Sequence, residues 1–223
     1  MAVFWDRTTE KWEGRVHCRG ESCWRRPLAC PDFPILLKDA LGGSFVNGSI
    51  NWLARHSLNC HLNELENVTV DQLVILSLDM RTEAGKYMLL PIGLDEMPQN
   101  GPNLAVLRGR LCLYYYDKMR SHFALWEMRE FGVHESWTQL VTISSVQLLG
   151  NFDDLDLYHH HFSLLAPVCV SEDEDVVLLA SKEDFPDIMY NMRDDRVRHV
   201  TLLNNQIWYV HEHMQSLVLP HSD

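Results

Sequence analysis

The sequence predicts an all-β fold of short antiparallel strands arranged like the blades of a propeller. Three observations predict it. Runs rich in β-branched and aromatic residues alternate with turn clusters roughly every ten residues. Helix signals are weak and confined to single turns. Three segments, residues 45–53, 105–114 and 201–209, share one pattern: apolar residues, a Gly or Asn turn, then an apolar strand ending in an aromatic. A turn pins each hairpin and an aromatic wedge fills the space between neighbouring sheets. Radial repetition of a four-stranded unit follows from that design.

The elements run as follows. Residues 2–6 form the first strand, and residues 15–18 are expected to pair with it. Residues 45–54 hold a hairpin at Asn47-Gly48, a pair that tolerates positive φ at both positions. Residues 73–79 and 86–90 flank a second hairpin across Arg81-Thr82-Glu83-Ala84-Gly85. Strand-rich residues 104–116, 123–130 and 137–143 form the next group, and 162–170 and 176–181 follow. Residues 197–203 and 206–210 close the chain, joined at Asn204-Asn205. A short helical turn is expected at Val70-Asp71-Gln72 and another over residues 183–189. The whole chain, residues 1–223, reads as one domain that starts mid-blade.

A net charge of −12 argues against nucleic acid or an anionic membrane surface as partner, because phosphate binding needs clustered Lys and Arg. Arg25-Arg26 is the one dense basic spot and is too short for a patch. No stretch approaches the roughly 20 apolar residues of a membrane span. No signal peptide opens the chain, so cytoplasm or nucleus is the expected compartment. Cys112 and Cys169 sit in apolar runs and read as buried small hydrophobes. Cys18, Cys23 and Cys30 beside His17 have spacings that fit no standard zinc knuckle, so no metal and no cofactor is expected.

Other polar groups read as loops. Glu172-Asp173-Glu174-Asp175 lacks the alternating ligands and Gly turn of a calcium loop. Ser136 lies too close in sequence to His134 to aim as a catalytic pair. No phosphate loop or nucleophile elbow occurs, so the chain is not expected to be an enzyme. Candidate partner contacts are Asp153, Asp154, His159 and His160 in a polar inter-blade loop, and Tyr115 in Tyr114-Tyr115-Tyr116, where a strand is expected to turn at least one ring to solvent.

Cys23-Trp24-Arg25-Arg26, the Pro/Phe-rich link of residues 31–37, and Val46-Asn47-Gly48-Ser49-Ile50-Asn51-Trp52-Leu53 resemble the F-box-associated interaction domain of plant F-box/kelch-repeat proteins. So do residues 74–79 with Leu89-Leu90-Pro91, and residues 107–113. The most specific match is Trp126, Met128, Glu130, Phe131, Gly132, Val133, Ser136, Trp137 and Thr138, in the pattern W-x-M-x-E-[YF]-G-V-x-x-S-W-T. The resemblance implies a kelch-type β-propeller, partial or truncated here. It also implies a protein-binding substrate-recognition module of an SCF-type ubiquitin ligase. The partner implied is a target protein, with the SCF adaptor a partner only where an F-box lies upstream. The alternatives are a glycan-binding propeller, through exposed aromatics and paired carboxylates such as Asp153 and Asp156, and a truncated copy without ligase activity.

Overall fold

The computed structural model describes residues 2–6, 8, 11–17, 20, 22–27, 43–55, 68–98, 101–117, 119, 121–149, 165–181 and 186–200. The chain divides into two compact units, Met1–Leu149 and Gly150–Asp223. Among the described residues it is all-β, with almost no helix and every sheet antiparallel.

The first unit opens with a hairpin of β1 (Ala2–Asp6) and β2 (Lys11–Arg15). Two four-stranded meanders follow. The first contains β3 (Ser44–Val46), β4 (Ser49–Arg55), β5 (Leu73–Asp79) and β6 (Gly85–Met88), in that spatial order. The second contains β7 (Asn103–Leu107), β8 (Arg110–Tyr116), β9 (His122–Met128) and β10 (Trp137–Ser144), again in sequence order. A single turn of 3-10 helix precedes β5 at Val70–Gln72, where one was expected. Another precedes β10 at His134–Ser136, and the short helix α1 (Ser145–Leu149) follows it. The second unit is one meander, β11 (Leu165–Val170), β12 (Val176–Ser181), β13 (Asp187–Asn191) and β14 (Arg196–Val200).

Turn chemistry sets the registers. Asn47 and Gly48 have φ of 49° and 73°, and Arg108 and Gly109 have 51° and 69°. Both are two-residue turns of the kind whose twist matches the flanking strands. Residues 104–116 therefore fold as two strands, broken at Arg108-Gly109. Counting from each turn, Ile50, Trp52 and Ala54 occupy the positions that Leu111, Leu113 and Tyr115 occupy in the second sheet.

That equivalence decides how the two sheets stack. Leu111, Leu113 and Tyr115 enter a core shared with Val46, Leu73, Ile75 and Met88 of the first sheet. Ile50, Trp52 and Ala54 lie on the other face of the first sheet, in a separate cluster with Val74, Leu76 and Leu78. The sheets thus meet front to back. Front-to-back stacking can repeat indefinitely or close into a ring, as propeller blades do, whereas a two-fold sandwich presents the same face twice.

Several expectations are corrected. Of residues 15–18, Arg15 does pair with β1, but as the end of β2 opposite Ala2, and Val16 bridges to Arg25 instead; Cys18 lies outside the described residues. The polar link after Asp6 is short enough for the chain to return four residues earlier than expected. Residues 187–189, expected in a helical turn, lie in β13, because Pro186 removes a donor and Ile188 and Tyr190 alternate into the core. Cys169 is half-buried, since it lies on the more open face of its sheet, next to a bulge after Pro167. None of Tyr114, Tyr115 and Tyr116 faces solvent. The reason is that β8 is an interior strand with both faces covered. Tyr115 packs toward the first sheet, and Tyr114 and Tyr116 flank Phe123 at ring-centroid distances of 6.1 and 5.2 Å. The third repeat, residues 201–209, lies outside the described residues.

Candidate protein-binding surface

Of the sequence-predicted contacts, Asp153, Asp154, His159 and His160 lie outside the described residues. Tyr115 is described, and it is core. Burial raises its hydroxyl above the usual tyrosine range. Burial pushes Tyr116 up further. Neither phenol is placed to meet a partner.

What the second sheet does present is one built loop end. In the β8–β9 connection the Asp117 carboxylate accepts the Ser121 amide at 2.5 Å, the His122 amide at 3.3 Å and the Ser121 hydroxyl. Desolvation works against the charged form, but these donors outweigh it and hold the carboxyl below its usual range. The Asp117 amide closes the loop on the His122 carbonyl at 3.0 Å. Next to it stands α1, whose Ser145 amide donates to the Ser121 carbonyl at 2.7 Å. Ser144 and Gln147 cap α1 reciprocally: Gln147 N–H donates to Ser144 Oγ at 3.2 Å, and the Ser144 N–H donates to Gln147 Oε1 at 3.0 Å. Two connections are therefore locked together, and each carries a projecting apolar side chain. Met119 is 81% exposed and Val146 is 74% exposed. The sequence carried half of this signal, in the Ser-x-x-Gln box. It gave no sign that the two connections meet.

A second apolar pair, Leu89 and Ile92, projects from the connection after β6. That connection is stapled to the second sheet. Trp137 Nε1 donates to the Leu89 carbonyl at 3.1 Å, and His134 Nε2 lies 2.8 Å from the Leu90 carbonyl. The close approach of Gly93 to the Trp126 ring leaves no room for a Cβ.

The residues of the most specific motif thus build scaffold. Met128 Sδ accepts the Gly132 amide, and Ser136 Oγ lies within 2.9 Å of the Glu130 carbonyl and 2.7 Å of the Val133 carbonyl. With His134 turned to Leu90, neither Ser136 nor His134 is free to act as nucleophile or base. Asp117, Ser121 and His122 form a Ser/His/Asp group, with Ser121 Oγ 2.8 Å from His122 Nδ1 and that same nitrogen 3.6 Å from Asp117 Oδ2. In a hydrolytic triad the acid holds the ring nitrogen opposite the one facing the serine. Here one nitrogen faces both, and the serine bonds the carboxylate directly, so the group caps a turn. Among the described residues no cluster of His, Cys, Asp and Glu is placed to hold a metal, and no helix is long and apolar enough to cross a membrane.

No protein-family model matches the chain. The chain is similar to a protein of Arabidopsis thaliana named as an F-box/kelch-repeat protein, at 26% identity over 147 residues. The match covers 64% of this chain and 35% of that protein, so the chain spans about a third of that relative's length.

Proposed function

We propose that the chain is a non-catalytic substrate-recognition module of an SCF-type ubiquitin ligase, with its sheets acting as blades of a kelch-like propeller. It grips a target protein in the cytoplasm or nucleus through the connections that carry Met119 and Val146. The SCF adaptor joins only where an F-box accompanies the module. One observation carries the reading. The residues of the W-x-M-x-E-[YF]-G-V-x-x-S-W-T motif build scaffold, while exposed apolar side chains stand on locked connections. A rigid frame with apolar anchors on its loops suits binding, because the anchors lose little entropy on docking. The similarity to an F-box/kelch-repeat protein supports it.

The test has two stages. Proximity labelling in plant cells names the target, and titration of that purified target measures its affinity for the chain. Met119→Asp with Val146→Asp is expected to weaken binding by about tenfold or more, the scale of a lost hot spot, with an unchanged melting temperature. Undiminished affinity in the double variant overturns the assignment of this surface.

A further inference from the structure

The sheet β11–β14 has two unlike faces. Leu165, Val170, Val177, Leu179, Ile188 and Tyr190 share one face and are buried. Cys169, Val176, Leu178 and Met189 share the other and are only half-buried. On β14 the half-buried face continues into Arg196, opposite Asn191, and Arg198, opposite Met189, and both arginines are exposed. The apolar floor therefore ends in a basic border.

The charges near that border are accounted for. Arg193 pairs with Asp175 at 2.6 Å. Asp195 accepts the Tyr190 hydroxyl at 2.7 Å, on the buried-face side. Asp194 sits in the turn, its amide held by Asn191. Asp187 lies on the same face at the Val200 end but is buried. Arg196 and Arg198 meet no carboxylate among the described residues. The chain's net charge of −12 does not cancel them, because salt screens exposed charges beyond roughly 8 Å.

We propose that this face docks an amphipathic helix of the target protein, its apolar stripe on Val176, Leu178 and Met189 and two acidic residues on Arg196 and Arg198. The spacing fits. Residues two apart on a strand stand roughly 6.6 Å apart. Residues four apart on a helix rise about 6 Å. Glutamates at i and i+4 thus face the two guanidinium groups together. This inference rests on the protein-binding reading and names the chemistry of the partner.

The experiment uses the full chain and two synthetic 20-residue helical peptides. They share one Leu/Ala stripe and differ only in Glu or Lys at the paired i, i+4 positions. Fluorescence anisotropy is expected to show the Glu peptide binding about tenfold or more tighter than the Lys peptide, a difference that shrinks with salt. Arg196→Glu with Arg198→Glu is expected to reverse the preference, and both sites are exposed enough to leave folding intact. Equal affinities, no binding of the Glu peptide, or no reversal overturns the proposal. If the target identified above still depends on Met119 and Val146, this inference falls alone. If the preference reverses as expected while those two residues prove idle, the loop-end assignment falls instead.

Discussion

The two meanders of the first unit are built to one plan and diverge at one buried polar position. Third after the turn come Asn51 in the first sheet and Cys112 in the second, and their cross-strand partners are Ser77 and Glu127. In the first sheet Asn51 Nδ2 donates to the Ser44 and Ser49 carbonyls at 2.9 and 3.2 Å, and the buried Ser77 hydroxyl finds no hydrogen-bond partner among the described residues. In the second, the buried Glu127 carboxylate takes Arg110 Nη1 at 2.7 Å, with Arg129 at 4.0 Å. The sheets also differ in their last connection. Asp79 caps a tight β5–β6 turn, whereas the β9–β10 connection is long and staples the preceding segment through Trp137. The difference teaches that the apolar positions carry the repeat. The polar ones are free to vary, provided a buried charge finds its partner.

The largest break in this comparison is expected at Trp137. Its truncation to Ala removes a buried aromatic and frees the Leu89 carbonyl, so urea unfolding is expected to show a loss of about 3–5 kcal/mol. Phe45→Ala, on the exposed edge of the first sheet, is expected to cost less than about 0.5 kcal/mol. Similar losses at the two sites would show that the staple does not hold the second sheet to the first.

Next in size is the polar position itself. Arg110→Ala leaves Glu127 buried with only the distant Arg129, and a loss of about 1–3 kcal/mol is expected. Ser77→Ala removes a hydroxyl with no hydrogen-bond partner among the described residues, so a change near zero or a gain of up to about 1 kcal/mol is expected. Measured side by side, the two substitutions should differ in sign or by more than about 1 kcal/mol. A costly Ser77→Ala would reveal a partner for that hydroxyl and remove the contrast.

Much of this fold was legible because strand alternation and turn chemistry are local. Asn47-Gly48 announced its hairpin, and the sheet order follows sequence order, so no crossover had to be guessed. The errors came where tertiary context decides. Tyr114-Tyr115-Tyr116 alternates like any strand, but alternation does not tell that both faces are covered. Residues 183–189 look mildly helical, but Pro186 and the pairing of β13 with β14 override that tendency over residues 187–189. The candidate surface was the least legible part. Met119 and Val146 are 27 positions apart in sequence. Their connections are joined by a backbone hydrogen bond from Ser145 to Ser121. Of the contact residues expected from sequence, Tyr115 is core and Asp153, Asp154, His159 and His160 lie outside the described residues, whereas the projecting side chains of the described loop end are isolated apolar ones.

The smallest expected effect compares the two carboxylates that cap connections. The Thr82 and Arg81 amides, each 2.8 Å from its Oδ1, hold Asp79 below the usual carboxylate range. Asp117 is also lowered: desolvation opposes this, but the Ser121 hydroxyl and the His122 and Ser121 amides prevail. A carboxyl whose pKa is depressed on folding stabilises the protein above its unfolded pKa, near ~3.9, and that contribution fades as pH falls through the folded value. Both groups therefore favour folding at neutral pH and cease to do so in acid. Asp117→Asn keeps an acceptor for the loop amides and removes the titration, so its melting temperature should fall less steeply than wild type from pH 5 to pH 3. Solvent screens a loop carboxylate, so the divergence is expected to be about a degree or two at most. Desolvation opposes the Asp79 charge too, but its amide bonds outweigh it, so Asp79→Asn should flatten the acid limb in the same direction. Parallel curves for Asp117→Asn and wild type would mean that the β8–β9 cap contributes no charge-dependent stability, and that Met119 stands on a loop held by its backbone alone.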